Sequence, residues 1–184
     1  MQRIFSSGGI WPTPWMERVL PIVTKLASRH AARTIFTRFI TPMRADEMPG
    51  MWKAYYRRWD GATREKIDPE QLELMPTLKS LVPPAHVIDK SRYSAFAGPE
   101  LLNYLTEQHV DTLIITGSET DMCILATVLD AVDYGYRVVV VRDAICSSSD
   151  AGHDALMSVY QGRYGLQIET ATAEEVLQEW SASI

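Results

Sequence analysis

The chain has 184 residues, of which 46% are apolar and 22% charged, and its formal net charge is −5. These values are typical of a folded globular protein and exclude an intrinsically disordered chain. The mild acidity, with no basic stripe, excludes a nucleic-acid interface, and no apolar run approaches the roughly 20 residues that a membrane helix needs. We expect one domain over residues 1–184, with no secretory signal and no membrane partner.

Short apolar runs alternate with helical patterns along the whole chain. Strands are predicted over residues 34–39, 85–90, 112–117, 137–143 and 166–170. The central runs are continuous in Val and Ile, which is typical of strands covered on both faces. Helices are predicted around residues 19–26 and 125–132, and over 69–81, 99–107, 150–163 and 172–180, with Pro69, Pro99 and Thr172 as first-turn or capping residues. The alternation predicts an α/β, doubly wound (Rossmann-like) parallel sheet with helices on both faces.

Residues 41–66 interrupt this alternation and form a long insertion. Its centre carries aromatic side chains at helical spacing, namely Trp52, Tyr55, Tyr56 and Trp59. Such a stripe indicates either a helix that packs on the core or on a second subunit, or an aromatic wall over a small-molecule pocket.

Two residues with useful chemistry follow predicted strands. Ligands of open α/β sheets bind beyond the carboxyl ends of the strands, which is where Lys90 and Cys123 fall. We expect a helix to begin near Asp121 with Thr120 as its N-cap, so that Cys123 lies in the first turn and has a lowered pKa. The alternatives are a buried, inert cysteine and a solvated surface lysine.

Three segments carry a resemblance to a known family. They are Val-Ile-Asp-Lys-Ser-Arg-Tyr-Ser-Ala-Phe at 87–96, Ile-Thr-Gly-Ser-Glu-Thr-Asp-Met-Cys at 115–123 with its continuation to 144, and the stretch 143–156. In order and spacing the chain resembles the isochorismatase-like cysteine hydrolases, which include nicotinamidases and N-carbamoylsarcosine amidases. The resemblance implies a hydrolase that cleaves a C–N bond of a small amide, ureide or carbamoyl substrate through a thioester.

The resemblance also implies roles for individual residues. Cys123 would attack the carbonyl carbon, Lys90 would hold it as a thiolate, and an Asp would carry the proton to the leaving amine. The oxyanion hole would be the backbone N–H groups of Cys123 and Glu119, with a cis peptide at Ser118-Glu119.

The first residues depart from the family pattern. Gln2 and Phe5 match, but Met1 stands just after the position of the catalytic Asp. We expect that Asp, and the strand before it, to lie upstream of Met1. Without this first strand its neighbours lose a hydrogen-bonding partner, which predicts low stability or a rearranged sheet. Asp89 or Glu119 could serve as a substitute carboxylate.

The histidines argue against a metal. Nicotinamidases bear Asp and His ligands after the second strand, whereas residues 39–46 contain no His. The histidines are His30, His86, His109 and His153, and their scatter offers no ligand spacing. We therefore predict no metal, no other cofactor, and a substrate other than nicotinamide. His153 is predicted to cap or pack.

Aromatic residues and a second cysteine are expected near the site. Phe5, Trp11, Trp52 and Tyr56 are predicted to contact an apolar or planar small-molecule substrate. Cys146 is assigned no chemistry, and Ser149 or Asp150 should cap the helix that follows. Two cysteines without a CxxC motif favour a reducing, cytoplasmic setting, and the resemblance implies a homo-oligomer. The alternatives are a vinyl ether hydrolase of the isochorismatase type, and a non-catalytic binding or assembly protein.

Overall fold

The computed structural model describes residues 1–180. Its strands are β1 (Ile35–Phe39), β2 (His86–Lys90), β3 (Thr112–Ser118), β4 (Arg137–Cys146) and β5 (Ile168–Ala171). Its α-helices are α1 (Met16–Arg29), α2 (Gly50–Arg58), α3 (Pro76–Lys79), α4 (Pro99–Glu107), α5 (Leu125–Asp133), α6 (Asp150–Gly162) and α7 (Ala173–Glu179). The single-domain prediction included residues 181–184, which lie outside the described residues.

The strands form two parallel sheets. One has the order β1-β2, and the other has the order β3-β4-β5. All pairs are parallel, with Ile35 opposite His86 and Thr112 opposite Arg137. The α/β class is therefore confirmed, and within residues 1–180 no ladder joins β1 to β3.

The apolar run of β4 explains why helices cover both faces. Val139 and Val141 join one core, formed with α1 and α7, while Val138 and Val140 join the other, formed with α4, α5 and α6. Successive side chains of a strand point to opposite faces, so a continuous Val run needs cover on both sides. Helices on both faces are confirmed.

Two boundaries differ from the sequence prediction. The expected helix over 69–81 is split into a 3₁₀ turn, Pro69–Leu72, and α3. Met75 precedes Pro76 and has a ψ of 140°, which is not helical, because a proline disfavours the helical conformation of the residue before it. Strand β4 also continues to Cys146, because its ladder with β3 resumes after a register shift at Ile115/Gly117.

The caps follow the sequence closely. Pro99 begins α4, Ser149 caps α6 by accepting a hydrogen bond from the Gly152 N–H at 3.0 Å, and Thr172 caps α7 in a reciprocal capping box with Glu175. These three predictions are confirmed. Within residues 1–180, no helix combines the length and the apolar character that crossing a bilayer requires.

Gln2 binds the edge of β1 in the manner of a neighbouring strand. Its side chain accepts a hydrogen bond from the Phe39 N–H at 2.7 Å and donates to the carbonyl oxygens of Phe39 at 3.1 Å and Leu72 at 2.7 Å. The residue is 2% exposed. Its amide therefore satisfies three buried backbone groups.

Substitution of Gln2 by leucine should destabilise the fold. We expect Gln2→Leu to lower the free energy of unfolding by about 3 kcal/mol, because the backbone groups of Phe39 and Leu72 would stay buried without partners. Urea denaturation followed by tryptophan fluorescence measures the change. Gln178→Leu, on the exposed face of α7, is the control and should stay within about 0.5 kcal/mol of the parent. Equal stability of both variants would contradict the role of Gln2.

Candidate active site

Cys123 lies in an irregular turn between β3 and α5. The chain leaves β3 through a cis peptide between Ser118 and Glu119, as expected, and then forms a π-helical turn over Thr120–Ile124. Turns of this kind occur often at functional sites. The predicted cap is wrong: Glu119 is the N-cap, whereas Thr120 is fully buried and its hydroxyl is hydrogen-bonded to His153 Nδ1 at 2.9 Å.

The structure brings Lys90 to Cys123. Lys90 ends β2, is 9% exposed, and its ammonium group hydrogen-bonds both the Cys123 thiol and the carbonyl oxygen of Tyr93. Burial lowers the pKa of Lys90, and the nearby Cys123 opposes that shift. The surface-lysine alternative is therefore wrong, because the side chain is enclosed and has specific partners.

The pKa of Cys123 is shifted in the direction opposite to the sequence prediction. Burial raises it above the ordinary value of a thiol, although the charge and hydrogen bond of Lys90 lower it. The charge of Glu119 raises it further, and the backbone N–H of Glu119 lowers it by donating to the sulfur. Desolvation is therefore the largest effect on the pKa of Cys123, and the nearby Lys90 charge opposes it.

Of the two substitute carboxylates, only Glu119 faces the site. Asp89 lies on the surface, where it accepts hydrogen bonds from Arg38 at 2.7 and 2.9 Å. The Glu119 carboxylate accepts hydrogen bonds from Thr13 at 3.3 Å and from Ser148 at 3.2 Å, and burial raises its pKa. A partly buried carboxyl group of this kind can take up and return a proton.

An aromatic cluster surrounds Trp11. Its ring centroid lies 6.1 Å from Phe5, 6.0 Å from Tyr55 and 6.1 Å from Trp59. On α2, Trp52 lies 4.9 Å from Tyr93, the residue whose carbonyl binds Lys90. The predicted aromatic residues are thus brought to the neighbourhood of the Lys90 and Cys123 pair.

Tyr56 of α2 and Tyr93, which follows β2, differ in burial. Tyr56 is fully buried, so α2 packs on the core through it, as one of the alternatives held. The pKa values of Tyr56 and Tyr93 are raised mainly by burial, with smaller contributions from nearby groups that include Cys123. Sequence reasoning missed Tyr93 as a site residue, although its place three residues after Lys90 was a usable signal.

Three buried polar atoms near the site have no hydrogen-bond partner. They are Trp11 Nε1, Tyr56 Oη and Ser118 Oγ. Buried polar groups are nearly always paired, so unpaired ones mark a place where another molecule can supply the partner. A substrate that carries both donors and acceptors fits this requirement.

The second thiol differs from the first in both position and acidity. Cys146 ends β4, is 2% exposed, and lies with its sulfur 3.9 Å from the Gly117 carbonyl oxygen. Burial raises its pKa to about 12. A thiol of this kind reacts slowly, because the thiolate is the nucleophile.

The described residues contain no group of three His, Cys, Asp or Glu side chains that could hold a metal ion. The metal-free and cofactor-free character of the site stays a prediction. His153 packs against the Cys123 turn through its contact with Thr120. This contact accords with the packing role predicted for it.

Comparison with known proteins shows which family the chain is similar to. A model described as the isochorismatase domain matches residues 1–172. An uncharacterised isochorismatase family protein, PncA of Bacillus subtilis, is 37% identical over 86 residues, which is 47% of this chain and 47% of that protein. N-carbamoylsarcosine amidase of an Arthrobacter species is 44% identical over 59 residues, which is 32% of this chain and 22% of that protein.

A solved structure gives the same fold over nearly the whole chain. A cysteine hydrolase from Pseudomonas syringae pv. phaseolicola superimposes with a TM-score of 0.80 at 24% identity, over 97% of this chain and 87% of that chain. By contrast, the sequence matches span about half or less of the length of the two curated relatives.

Proposed function

Because the chain belongs to the isochorismatase family, we propose that it is a cysteine hydrolase that cleaves a C–N bond of a small amide, ureide or carbamoyl compound. The observation that carries the proposal is the convergence of two donors on one thiol. The Lys90 side chain and the Glu119 backbone N–H both hydrogen-bond Cys123. Both interactions stabilise the thiolate, which is the form that attacks a carbonyl.

The first chemical step forms a thioester. The sulfur of Cys123 attacks the substrate carbonyl carbon, and the negative charge moves to the carbonyl oxygen. The backbone N–H groups of Cys123 and Glu119 are the proposed donors that stabilise that charge. Collapse of the adduct breaks the C–N bond, and water then hydrolyses the thioester to release the acid and the free Cys123.

The thiol proton has to reach the leaving nitrogen. Within residues 1–180, Glu119 is the carboxylate whose charge acts on Cys123, and its raised pKa suits a group that accepts and returns a proton. The family resemblance gives this role to an Asp. We propose that, among the described residues, Glu119 takes this role and carries the proton to the leaving nitrogen.

The surroundings favour a small, planar, polar substrate. Phe5, Trp11 and Trp52 offer aromatic contact, and Trp11 Nε1 is a donor without a hydrogen-bond partner. An amide or carbamoyl group is flat and carries both donors and acceptors. The similarity to an N-carbamoylsarcosine amidase supports the same class. Hydrolysis of a vinyl ether does not need the thiol, so the environment of Cys123 favours amide cleavage.

Trapping the thioester tests this function. We expect incubation with a panel of primary amides, ureides and N-carbamoyl amino acids to release ammonia from at least one member. Added hydroxylamine should then divert the acyl group to a hydroxamate, because it competes with water for the thioester. Colorimetric hydroxamate detection and ammonia release measure the two products. Turnover of a vinyl ether without any hydroxamate from the amide panel would contradict the proposal.

A further inference from the structure

The hydroxyl of Thr127 links the Cys123 turn to the loop that follows Lys90. It donates a hydrogen bond to the Cys123 carbonyl oxygen at 2.7 Å and accepts one from the Ala95 N–H at 3.0 Å. A carbonyl oxygen can only accept and a backbone N–H can only donate, so the direction of both bonds is fixed. The single proton of the hydroxyl is therefore committed to Cys123.

A second side chain of α5 holds the same loop. Ser94 donates a hydrogen bond to the Asp130 carboxylate and accepts one from the Phe96 N–H at 3.0 Å. Thr127 and Asp130 are three residues apart and are therefore neighbours on the surface of the helix. The loop after Lys90 is thus bound to α5 at two successive residues, Ser94 and Ala95.

Helix α5 is a rigid support for these two contacts. Its residues Val128 and Ala131 are fully buried in the core that also contains Val138 of β4. Ala95 and Phe96 of the loop are buried in the same core. Close-packed interiors resist small displacements, so the loop cannot move along α5 without disturbing this packing.

These contacts close a ring of hydrogen bonds through the Lys90 and Cys123 pair. The Lys90 ammonium bonds the Cys123 thiol and the Tyr93 carbonyl oxygen. Two residues later the Ala95 N–H bonds Thr127, whose hydroxyl returns to the carbonyl oxygen of Cys123. We call this set the Thr127 ring. Lys90 ends β2 and Cys123 follows β3, which belong to different sheets, and the ring joins the two residues directly.

We propose that Thr127 is a positioning residue, whose hydroxyl holds the loop after Lys90 against the Cys123 turn and so keeps the Lys90 ammonium on the Cys123 thiol. Both bonds of the hydroxyl go to backbone groups, so Thr127 acts through Lys90. A Thr that bonds the carbonyl four residues earlier slightly destabilises a helix, so helix stability does not account for this bond. The role of Thr127 in catalysis rests on the proposed function of Cys123 as the nucleophile.

Several titratable groups surround the Cys123 thiol. The charge and hydrogen bond of Lys90 lower its pKa, and the charge of Glu119 raises it. The other groups that interact with the thiol are the Met1 amine and the hydroxyls of Tyr55, Tyr56 and Tyr93. Of all these side chains, Lys90 is the one whose ammonium the Thr127 ring holds in place. Movement of Lys90 away from the sulfur therefore raises the pKa of Cys123.

Iodoacetamide labelling against pH tests the proposal without a substrate, and peptide mass spectrometry assigns the label to Cys123. Thr127→Val keeps the branched shape of the side chain and removes both hydrogen bonds. We expect it to label at least about fivefold more slowly than the parent near neutral pH, with a profile moved to higher pH, because the thiolate fraction falls. Thr127→Ser keeps the hydroxyl and should label within about twofold of the parent.

Thr106 provides the matched control. On the exposed side of α4, its hydroxyl likewise bonds the carbonyl oxygen four residues earlier, that of Leu102 at 2.7 Å. Thr106→Val removes the same kind of bond away from Lys90 and Cys123 and should leave the labelling profile unchanged. Ser94→Ala releases the loop at its other contact with α5 and should move the profile in the same direction as Thr127→Val.

The direction of the change separates positioning from a general loosening of the fold. Looser packing exposes the buried thiol and speeds labelling at every pH, whereas loss of the Lys90 contact slows it near neutral pH. In a Lys90→Met background, Thr127→Val should shift the profile no further, because the ammonium through which it acts is gone.

Three results would overturn the proposal: an unshifted profile in Thr127→Val, faster labelling of it at every pH, or an undiminished shift in the Lys90→Met background. If Thr127→Val does not fold, an unshifted profile in Ser94→Ala overturns it. Ammonia release by the parent keeps the two proposals apart. Labelling as expected without turnover of any amide contradicts the hydrolysis alone, and turnover with an unshifted Thr127→Val profile contradicts the positioning role alone.

Discussion

Replacing Cys123 with alanine should lower kcat/KM for amide hydrolysis by about 10⁴-fold or more, because loss of a nucleophile removes the covalent route. The thiol lies in the turn between β3 and α5, with Lys90 and the Glu119 N–H as its partners. The substitution deletes the sulfur and leaves those partners in place. Ammonia release under steady-state conditions measures the loss.

Cys146 provides the matched control. It is the other cysteine of the chain, it is buried, and it has a pKa of about 12. We expect Cys146→Ala to keep kcat/KM within about threefold of the parent and to cost about 1 kcal/mol of stability as a small core truncation. Iodoacetamide should block the parent and the Cys146→Ala protein at Cys123 alike. Full activity of Cys123→Ala, or inactivation by loss of Cys146, would refute the assignment of the nucleophile.

Replacing Lys90 with methionine should lower kcat/KM by about 10² to 10³-fold, the usual effect of removing one positioned stabiliser of developing negative charge. Methionine keeps much of the buried aliphatic stem and removes the ammonium. The charge and hydrogen bond of Lys90 lower the pKa of Cys123, so their loss raises that pKa further. The rise of activity with pH should therefore move to higher pH in Lys90→Met.

The pH profile separates this role from a structural one. A change that only loosened the fold would lower the rate at every pH, whereas loss of the ammonium shifts the limb that reports the thiolate. Iodoacetamide labelling of Cys123 against pH gives the same readout without a substrate. Lys25→Met, on the exposed face of α1, is the control and should leave both profiles unchanged. An unshifted profile in Lys90→Met would show that the ammonium does not stabilise the thiolate.

The helices and strands were predictable because each depends on the sequence pattern of its own residues. The Val run of β4 needs cover on both faces, and the apolar spacing in α1 and α5 gives a single buried stripe. The pairing of Lys90 with Cys123 followed from a topological rule, since both residues follow the carboxyl ends of parallel strands. Their proximity is thus a property of the fold class.

The pKa of Cys123 and the contacts of Thr120 and Tyr93 were not predictable in the same way. The raised pKa of Cys123 results from burial by residues distant in sequence, and a helix-terminus argument omits that desolvation. Thr120 matched a capping residue by type, but its hydroxyl binds His153, 33 residues further along the chain. Tyr93 became visible as a site residue only through its contacts with Lys90 and Trp52.

The edges of β1 and β3 carry a consequence for self-association. An unpaired strand edge is a template for any other extended chain, and proteins usually protect such edges with charges, prolines or bulges. Ile35 and Thr37 of β1 and Ile114 of β3 carry neither a charge nor a proline. Edge-to-edge pairing of two molecules along these strands is therefore the expected route of self-association.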